Sequence, residues 1–375
     1  MGFRRAAHPG GPGLRFDSPG LLRGRRVKSH RADSITNFGK DWILSAFLQR
    51  LNEPQPLVYD GGIGSELFAR GVELANSALA CQSHPQTVID IHADYIAAGS
   101  DIITTNTFVG SQLHLEMAGK NADEVEELAR LAVEQARQAR DGQQRDVFIA
   151  GSIGPSPGAI EADSGDTDFG IANDLARQAH LRLAEGLAEG GVDFFCLETM
   201  FSAKEAALAV ATLRQFGLPI AVNLTYKYTK DRATGRIVYR TDWGHSAADL
   251  VEILSAGELA DGDDLLKSVD ILGLNCGAEV RRNEHTGMPY AVTGIGQLRQ
   301  ALEEKGVSGK KLMAYPNAGK AHLDRETRRT YYTQTSEEMQ GFVPELVEQG
   351  AHLIGGCCGT GPDHIRAFRQ IVDGD

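Results

Sequence analysis

The sequence predicts a (β/α)8 barrel, or TIM barrel, and three observations carry that prediction. Short apolar or β-branched runs alternate with amphipathic helical stretches from Leu57 to the C-terminus. The alternation resolves into eight strand–helix units over about 320 residues, a barrel lengthened by insertions. Polar or small residues gather at the C-terminal end of nearly every strand: Asp60, Thr105, Asn106, Ser152, Glu198, Asn275, Asn317 and Cys357. In a barrel those ends form one ring around one site, whereas in the rival doubly wound sheet they would spread along an edge.

Taken in order, the strand Leu57–Asp60 is followed by the helix Pro85–Ala98, and Ile102–Thr105 by Ala122–Arg140. In the latter helix Val125, Leu128, Ala129 and Ala132 recur at three- and four-residue spacing, an apolar stripe that must face a core. Val147–Gly151 leads to Asn173–Glu189, Phe194–Glu198 to Ala203–Phe216, and Ile220–Leu224 to Ala247–Leu254. Ile271–Asn275 precedes Gly296–Glu304, Lys311–Tyr315 precedes Ser336–Gln349, and His352–Gly356 precedes Pro362–Val372. The barrel domain is therefore expected over residues 41–375. Residues 1–40 are basic and rich in Gly and Pro, with Asp17 the single acid before position 33. A disordered leader, a transit peptide and a mis-assigned start are all open for them.

Composition narrows the function. A chain of 375 residues with 42% hydrophobic content can bury a large core, and its formal net charge of −12 offers no basic surface for nucleic acid or an anionic membrane. No run approaches the roughly 18 apolar residues of a membrane span. Five cysteines are too few for a disulfide scaffold, and adjacent Cys357 and Cys358 cannot bridge each other without strain. A reducing, cytoplasmic setting with a metal or nucleophilic role is expected.

The strongest local signal is Gly355-Gly356-Cys357-Cys358-Gly359-Thr360, directly after Leu353-Ile354. Neighbouring side chains on a strand point to opposite faces, so two adjacent cysteines can serve one ion only where the strand has ended and the backbone turns. Glycines on both sides permit that turn. A third thiol, Cys276, ends another strand. Three thiolates leave a tetrahedral Zn²⁺ with one free position, the arrangement of a catalytic site, and soft ligands disfavour magnesium and calcium. The plain alternative is three ordinary buried cysteines. Asn275, beside a ligand, is positioned to hydrogen-bond in support of it. Cys81 and Cys196 read as structural, Cys196 one layer below Glu198 by the two-residue period. His180, His245 and His352 lack ligand spacing and read as packing or surface residues.

Asp60-Gly61-Gly62-Ile63-Gly64-Ser65-Glu66-Leu67, Ile103-Thr104-Thr105-Asn106-Thr107-Phe108, Gly151-Ser152-Ile153-Gly154-Pro155, Glu198-Thr199, Gly273-Leu274-Asn275-Cys276 and the Cys357-Cys358 segment, in this order, resemble the homocysteine S-methyltransferase family. The likeness covers roughly residues 56 to 372. Tyr315-Pro316-Asn317-Ala318-Gly319-Lys320 also resembles the homocysteine module of cobalamin-dependent methionine synthase, and betaine-dependent methyltransferases are related. The resemblance implies Zn²⁺-dependent methyl transfer to the homocysteine thiol, giving methionine. It implies that Asp60 and Glu198 face the substrate ammonium, with the N–H groups of Gly61 and Gly62 near its carboxylate. For Asp60 a plain turn role competes, and for Glu198 a surface ion pair. Thr105 and Asn106 either line the pocket or simply form the strand–helix turn.

The small methyl donor expected is S-methylmethionine or S-adenosylmethionine. With 17 residues after Cys358, no folate, cobalamin or activation domain is expected. A betaine-like donor, or a separate corrinoid protein as methyl-carrying partner, is the alternative, and a zinc-binding or redox-sensing barrel is the non-enzymatic one. A homo-oligomer is left open. The long segment from Tyr226 to Gly262 brings Tyr228, Tyr239, Trp243 and His245 to the functional side of a barrel. Its aromatics suit a cationic methyl through cation–π contact, and the competing reading is a surface excursion.

Overall fold

Eight parallel strands run in sequence order round a single sheet in the computed structural model, which describes residues 46–374 apart from 278, 280 and 327–329. They are β1 (Leu57–Val58), β2 (Ile102–Thr104), β3 (Phe148–Ile153), β4 (Phe194–Met200), β5 (Ile220–Leu224), β6 (Ile271–Cys276), β7 (Lys311–Pro316) and β8 (Ala351–Ile354). β1 pairs with β8, and the parallel bridge Tyr59–Ile102 joins β1 to β2, which closes the (β/α)8 barrel. The expectation for residues 1–40 lies outside the described residues. Among the described residues no helix is long and apolar enough to cross a membrane.

Strand alternation sorts the side chains. Phe148, Phe194, Ile271, Met313 and Leu353 fill the barrel interior, while Ile149, Phe195, Val222, Leu272 and Ile354 face the helical layer. Residues 46–51 form a helical turn that plugs the interior from below, with Phe47 stacked on Phe194 at 4.5 Å between ring centroids. Burying that ring stabilises the plug by about 1.5–3 kcal/mol. Higher up, the inward positions turn polar: Ser152, Glu198, Asn223 and Asn275. The bottom is thus a hydrophobic stopper and the top a polar cup.

Three aspartates, each just before an even-numbered strand, fix the lower rim. Asp101 accepts the N–H of Val58 at 2.8 Å, Asp193 that of Ile149 at 2.7 Å, and Asp270 that of Ile220 at 3.1 Å. Each carboxylate satisfies a backbone donor near the start of the preceding odd-numbered strand, a group that would otherwise lack a partner. Asp101 also pairs with Arg145 and Arg369.

Several elements depart from expectation. The helix expected over 336–349 is two short ones, Ser336–Gln340 and Val343–Glu348, with Pro344 in the first turn of the second, where a missing N–H costs nothing. The helix after β6 begins earlier, at Gly287, and β1 is shorter than Leu57–Asp60. Two antiparallel hairpins, Lys227–Lys230 with Ile237–Arg240 and Ala321–Leu323 with Thr330–Tyr332, interrupt the repeating pattern.

Candidate active site

Cys276 is the last residue of β6 and adopts a left-handed backbone, φ 57°. A side chain there costs roughly 1–2 kcal/mol over the ordinary conformation, so the surroundings must impose it. Asn317, just after β7, does part of this: its N–H donates to Cys276 O at 3.0 Å and its Nδ2 to Gly277 O at 3.3 Å. Its Oδ1 accepts the N–H of Cys358 at 3.1 Å. One side chain between β6 and β8 therefore aligns both cysteine segments. The 357–358 turn is further pinned by Cys357 N–H to Pro316 O at 2.8 Å and by Thr360 Oγ1 to Cys357 O at 2.7 Å.

The result is three sulfur atoms within 4.8 Å of one another, with Cys357 and Cys358 Sγ 4.0 Å apart. A tetrahedral ion with bonds to sulfur of about 2.3 Å needs sulfur pairs about 3.8 Å apart, so the Cys357–Cys358 pair is near that spacing and the three-sulfur donor set suits Zn²⁺. Hydrogen bonds donated by Cys276 and Cys357 hold the Cys358 thiol well below its usual range. Cys357 is pushed up by its hydrogen bonds with Cys276 and Cys358 and by burial. One thiolate is already stabilised by its two neighbours.

Asn275 ties the cluster to β4. Its Oδ1 accepts the N–H of Thr199 and its Nδ2 donates to Thr199 Oγ1, both at 2.7 Å; Nδ2 also lies 3.9 Å from Cys357 Sγ. Thr199 is itself left-handed, φ 56°, and follows Glu198. The amide of Asn275, one residue before left-handed Cys276, thus fastens left-handed Thr199 across the intervening β5.

Glu198 and Asp60 line the same cavity of about 610 Å³ as the three cysteines. Burial pushes both carboxyls up to about 7, against hydrogen bonds that stabilise the charged form. Asp60 accepts the N–H and Oγ1–H of Thr104 at 2.7 and 2.8 Å. Glu198 accepts from Ser152 Oγ and, at 3.3 Å, from Tyr315 Oη. Neither forms an ion pair with a Lys, Arg or His among the described residues. The surface-ion-pair alternative for Glu198 is accordingly set aside.

The remaining sequence candidates separate. Thr105 and Asn106 touch the cavity, but Thr105 Oγ1 bonds Thr107 Oγ1 and Ser152 N–H, and Asn106 Nδ2 bonds Ser77 O, so both chiefly build the strand–helix turn. Gly62 corrects an expectation: its N–H is taken by Thr360 O at 3.0 Å and Thr360 Oγ1 at 3.2 Å, so it is not available to a ligand carboxylate. Gly62 is instead required for space, since a Cβ there would lie 2.5 Å from Cys357 O. Gly61 lines the cavity without that engagement.

The segment 226–262 does not line this cavity. Its hairpin packs on the flank, where Tyr228 stacks on His285 and carries Arg282 over its ring, and Tyr239 is buried with its Oη on His285 Nδ1 at 2.8 Å. Tyr228 and Tyr239 are thus already covered, and Trp243, 43% exposed, does not line the cavity, so this segment brings no aromatic cage to it. Aromatic walls come from Phe108, Tyr331 and Tyr332 instead. Tyr332 lies against Gly359, whose φ of 83° and lack of Cβ make the approach possible. The sequence marks Ser152, Tyr315 and Asn317 only as strand-end or motif residues, and Tyr332 not at all. Its one signal is a pair of adjacent tyrosines in a loop.

Cys196 sits one layer below Glu198, fully buried, with Sγ 3.5 Å from Tyr315 Oη; burial pushes its thiol up to about 12. Cys81 is likewise buried and pushed up to about 12. His180 bonds Glu205, and His245 Nδ1 accepts the N–H of Ala203, so both serve packing and capping.

A closed (β/α)8 barrel that gathers three thiols and two buried acids without a cationic partner round one cavity has the makings of an enzyme that acts on a thiol. The profile of the homocysteine S-methyltransferase family matches residues 57–372, and the chain belongs to that family; it is an S-methyltransferase. Homocysteine S-methyltransferase 4 of Zea mays is 30% identical over 336 residues, covering 84% of this chain and 89% of the relative. The selenocysteine methyltransferase of Astragalus bisulcatus is 28% identical over 345 residues, covering 84% and 92%. Among solved structures, the metallated form of the Escherichia coli homocysteine methyltransferase MmuM shares the fold, with a TM-score of 0.63 at 22% identity over 88% of this chain and 99% of that one.

Proposed function

We propose that the protein transfers a methyl group from a small sulfonium donor, S-methylmethionine or S-adenosylmethionine, to the thiol of homocysteine, with Zn²⁺ held by Cys276, Cys357 and Cys358. The observation that carries the reading is the meeting of three thiols within 4.8 Å beside two buried acids that have no cationic partner. A buried carboxylate needs an opposite charge. The substrate ammonium supplies it, and the substrate carboxylate is assigned to the N–H of Gly61, which lines the same cavity.

Zn²⁺ bound by the three cysteines supplies the acidity that makes the substrate thiol a thiolate at neutral pH. Asp60 and Glu198 orient the amino acid so that its sulfur reaches the cysteine end of the cavity. Phe108, Tyr331 and Tyr332 wall the space from which the donor approaches, and their ring faces favour a cationic methyl-bearing centre. The substrate sulfur attacks the methyl carbon in line. A new sulfur–carbon bond forms as the donor's sulfonium–methyl bond breaks, and the donor leaves as a neutral thioether. Asn275, Asn317 and Thr199 keep the strand ends fixed throughout.

The test is metal analysis of the purified chain and of Cys357→Ala, with methionine formation measured from S-methylmethionine, S-adenosylmethionine, betaine and a methylated corrinoid protein. About one zinc per chain, lost in the variant, and turnover with a sulfonium donor support the proposal. Turnover with betaine alone, or only with the corrinoid protein, overturns the donor assignment, and full activity of Cys357→Ala overturns the metal site.

A further inference from the structure

Beneath the substrate cavity the barrel interior holds a polar layer that the methyl-transfer reading does not use. Tyr315 on β7 is 2% exposed and reaches across the barrel, its Oη 3.3 Å from Glu198 Oε2 and 3.5 Å from Cys196 Sγ. Ser152 on β3 donates to Glu198 Oε1 from the other side. Asn223 on β5 donates to Cys196 Sγ at 3.5 Å, and the Tyr59 ring packs at 5.2 Å from that of Tyr315. Glu198 is thus held at both oxygens by hydroxyl groups from two other strands.

We propose that Tyr315 is a positioning residue which, together with Ser152, fixes the orientation and charge of Glu198 for the substrate ammonium. The proposal rests on the reading of Glu198 as the ammonium site. Burial keeps Tyr315 a protonated phenol and Cys196 a neutral thiol, so Glu198 is the acceptor in this layer and the Tyr315 and Ser152 hydroxyls are its donors. Donors to a carboxylate favour its charged form and oppose the burial that disfavours it. The titratable groups around Glu198 are Asp60, Tyr59, Cys196, Tyr315 and Cys358, and none of them is a cation. The two hydroxyls are the donors that offset burial and favour the charged form of the acid before substrate arrives.

The experiment compares Tyr315→Phe, Ser152→Ala and Glu198→Gln in the zinc-loaded full chain, using the donor that the screen above identifies. The thiol acceptors are homocysteine and 4-mercaptobutanoate, which keeps the thiol and carboxylate but lacks the amino group. Tyr315→Phe is expected to raise KM for homocysteine about fivefold to tenfold at pH 7 with kcat within twofold. The acid limb of kcat/KM should move to higher pH, so that the defect shrinks by pH 8.5, while 4-mercaptobutanoate, zinc content and Tm stay as in the wild type. Ser152→Ala should act in the same direction, which keeps the test intact if Tyr315→Phe folds poorly. If Glu198→Gln discriminates between the two thiols but neither hydroxyl variant moves the pH profile, the positioning role falls and the ammonium site stands. If Glu198→Gln treats both thiols alike, the ammonium reading falls. Equal damage to both acceptors in Tyr315→Phe would mark a merely structural residue and overturn the proposal.

Discussion

Replacing Asn275 by alanine removes the amide that joins the end of β6 to the end of β4. Two hydrogen bonds of 2.7 Å disappear, leaving the N–H and Oγ1 of Thr199 with no partner in a site where Asn275 itself is fully buried. An orphaned buried polar group costs about 1–3 kcal/mol, and the two share one residue, so the summed loss is about 3 kcal/mol. For a chain of this size that corresponds to a fall in Tm of roughly 4 °C. Thr199 then has no reason to remain left-handed, and its relaxation displaces Glu198. Metal affinity should fall about tenfold to a hundredfold, because Asn275 also supports the cysteine cluster. Urea unfolding read by circular dichroism, with zinc competition by a chromophoric chelator, measures both. A stability loss below about 0.5 kcal/mol with unchanged zinc affinity would refute the view that this side chain fastens the site.

Two further outcomes follow from local geometry. Gly62→Ala places a Cβ 2.5 Å from the Cys357 carbonyl, which cannot yield without moving the ligand turn; zinc stoichiometry should drop and stability fall by about 1–3 kcal/mol, and full zinc loading would contradict this. Burial raises Asp193 to about 6, against about 3.9 in the unfolded chain, so its folded form binds protons more readily. Its contribution to stability is then fully present below pH 4 and is lost as pH rises through 6. Asp193→Asn can still accept the Ile149 N–H, so it should gain about 2–3 kcal/mol on the wild type between pH 4 and pH 8; a pH-independent difference in unfolding free energy would sink this account.

All eight strands were readable because β-branched and apolar runs survive wherever a strand is buried on both faces, as in Ile220–Leu224. The cysteine cluster was readable because adjacent thiols flanked by glycine make chemical sense only at a strand end. The hairpins were not. Lys227–Lys230 carries polar residues with no apolar period, Ile237–Arg240 is only four residues long, and their pairing is settled by packing on the helix after β6. The roles of Ser152 and Tyr315 depend on which inward positions of β3, β4 and β7 share a level, a property of barrel register that no local window contains. Gly62 was legible as a special position but for the wrong reason: its value is the space it leaves, a fact of another segment 295 residues away.

The β1–β2 joint is the thinnest in the barrel, with one backbone bridge at Tyr59–Ile102, and the carboxylates of Asp60 and Asp101 supply what the short strand cannot. Asp60 is therefore both a clasp and a lining group. Any swing of that carboxylate toward a guest loosens its hold on Thr104, so occupancy of the cavity and local opening of the cylinder wall are mechanically linked, and amides at the end of β2 become natural reporters of a filled site.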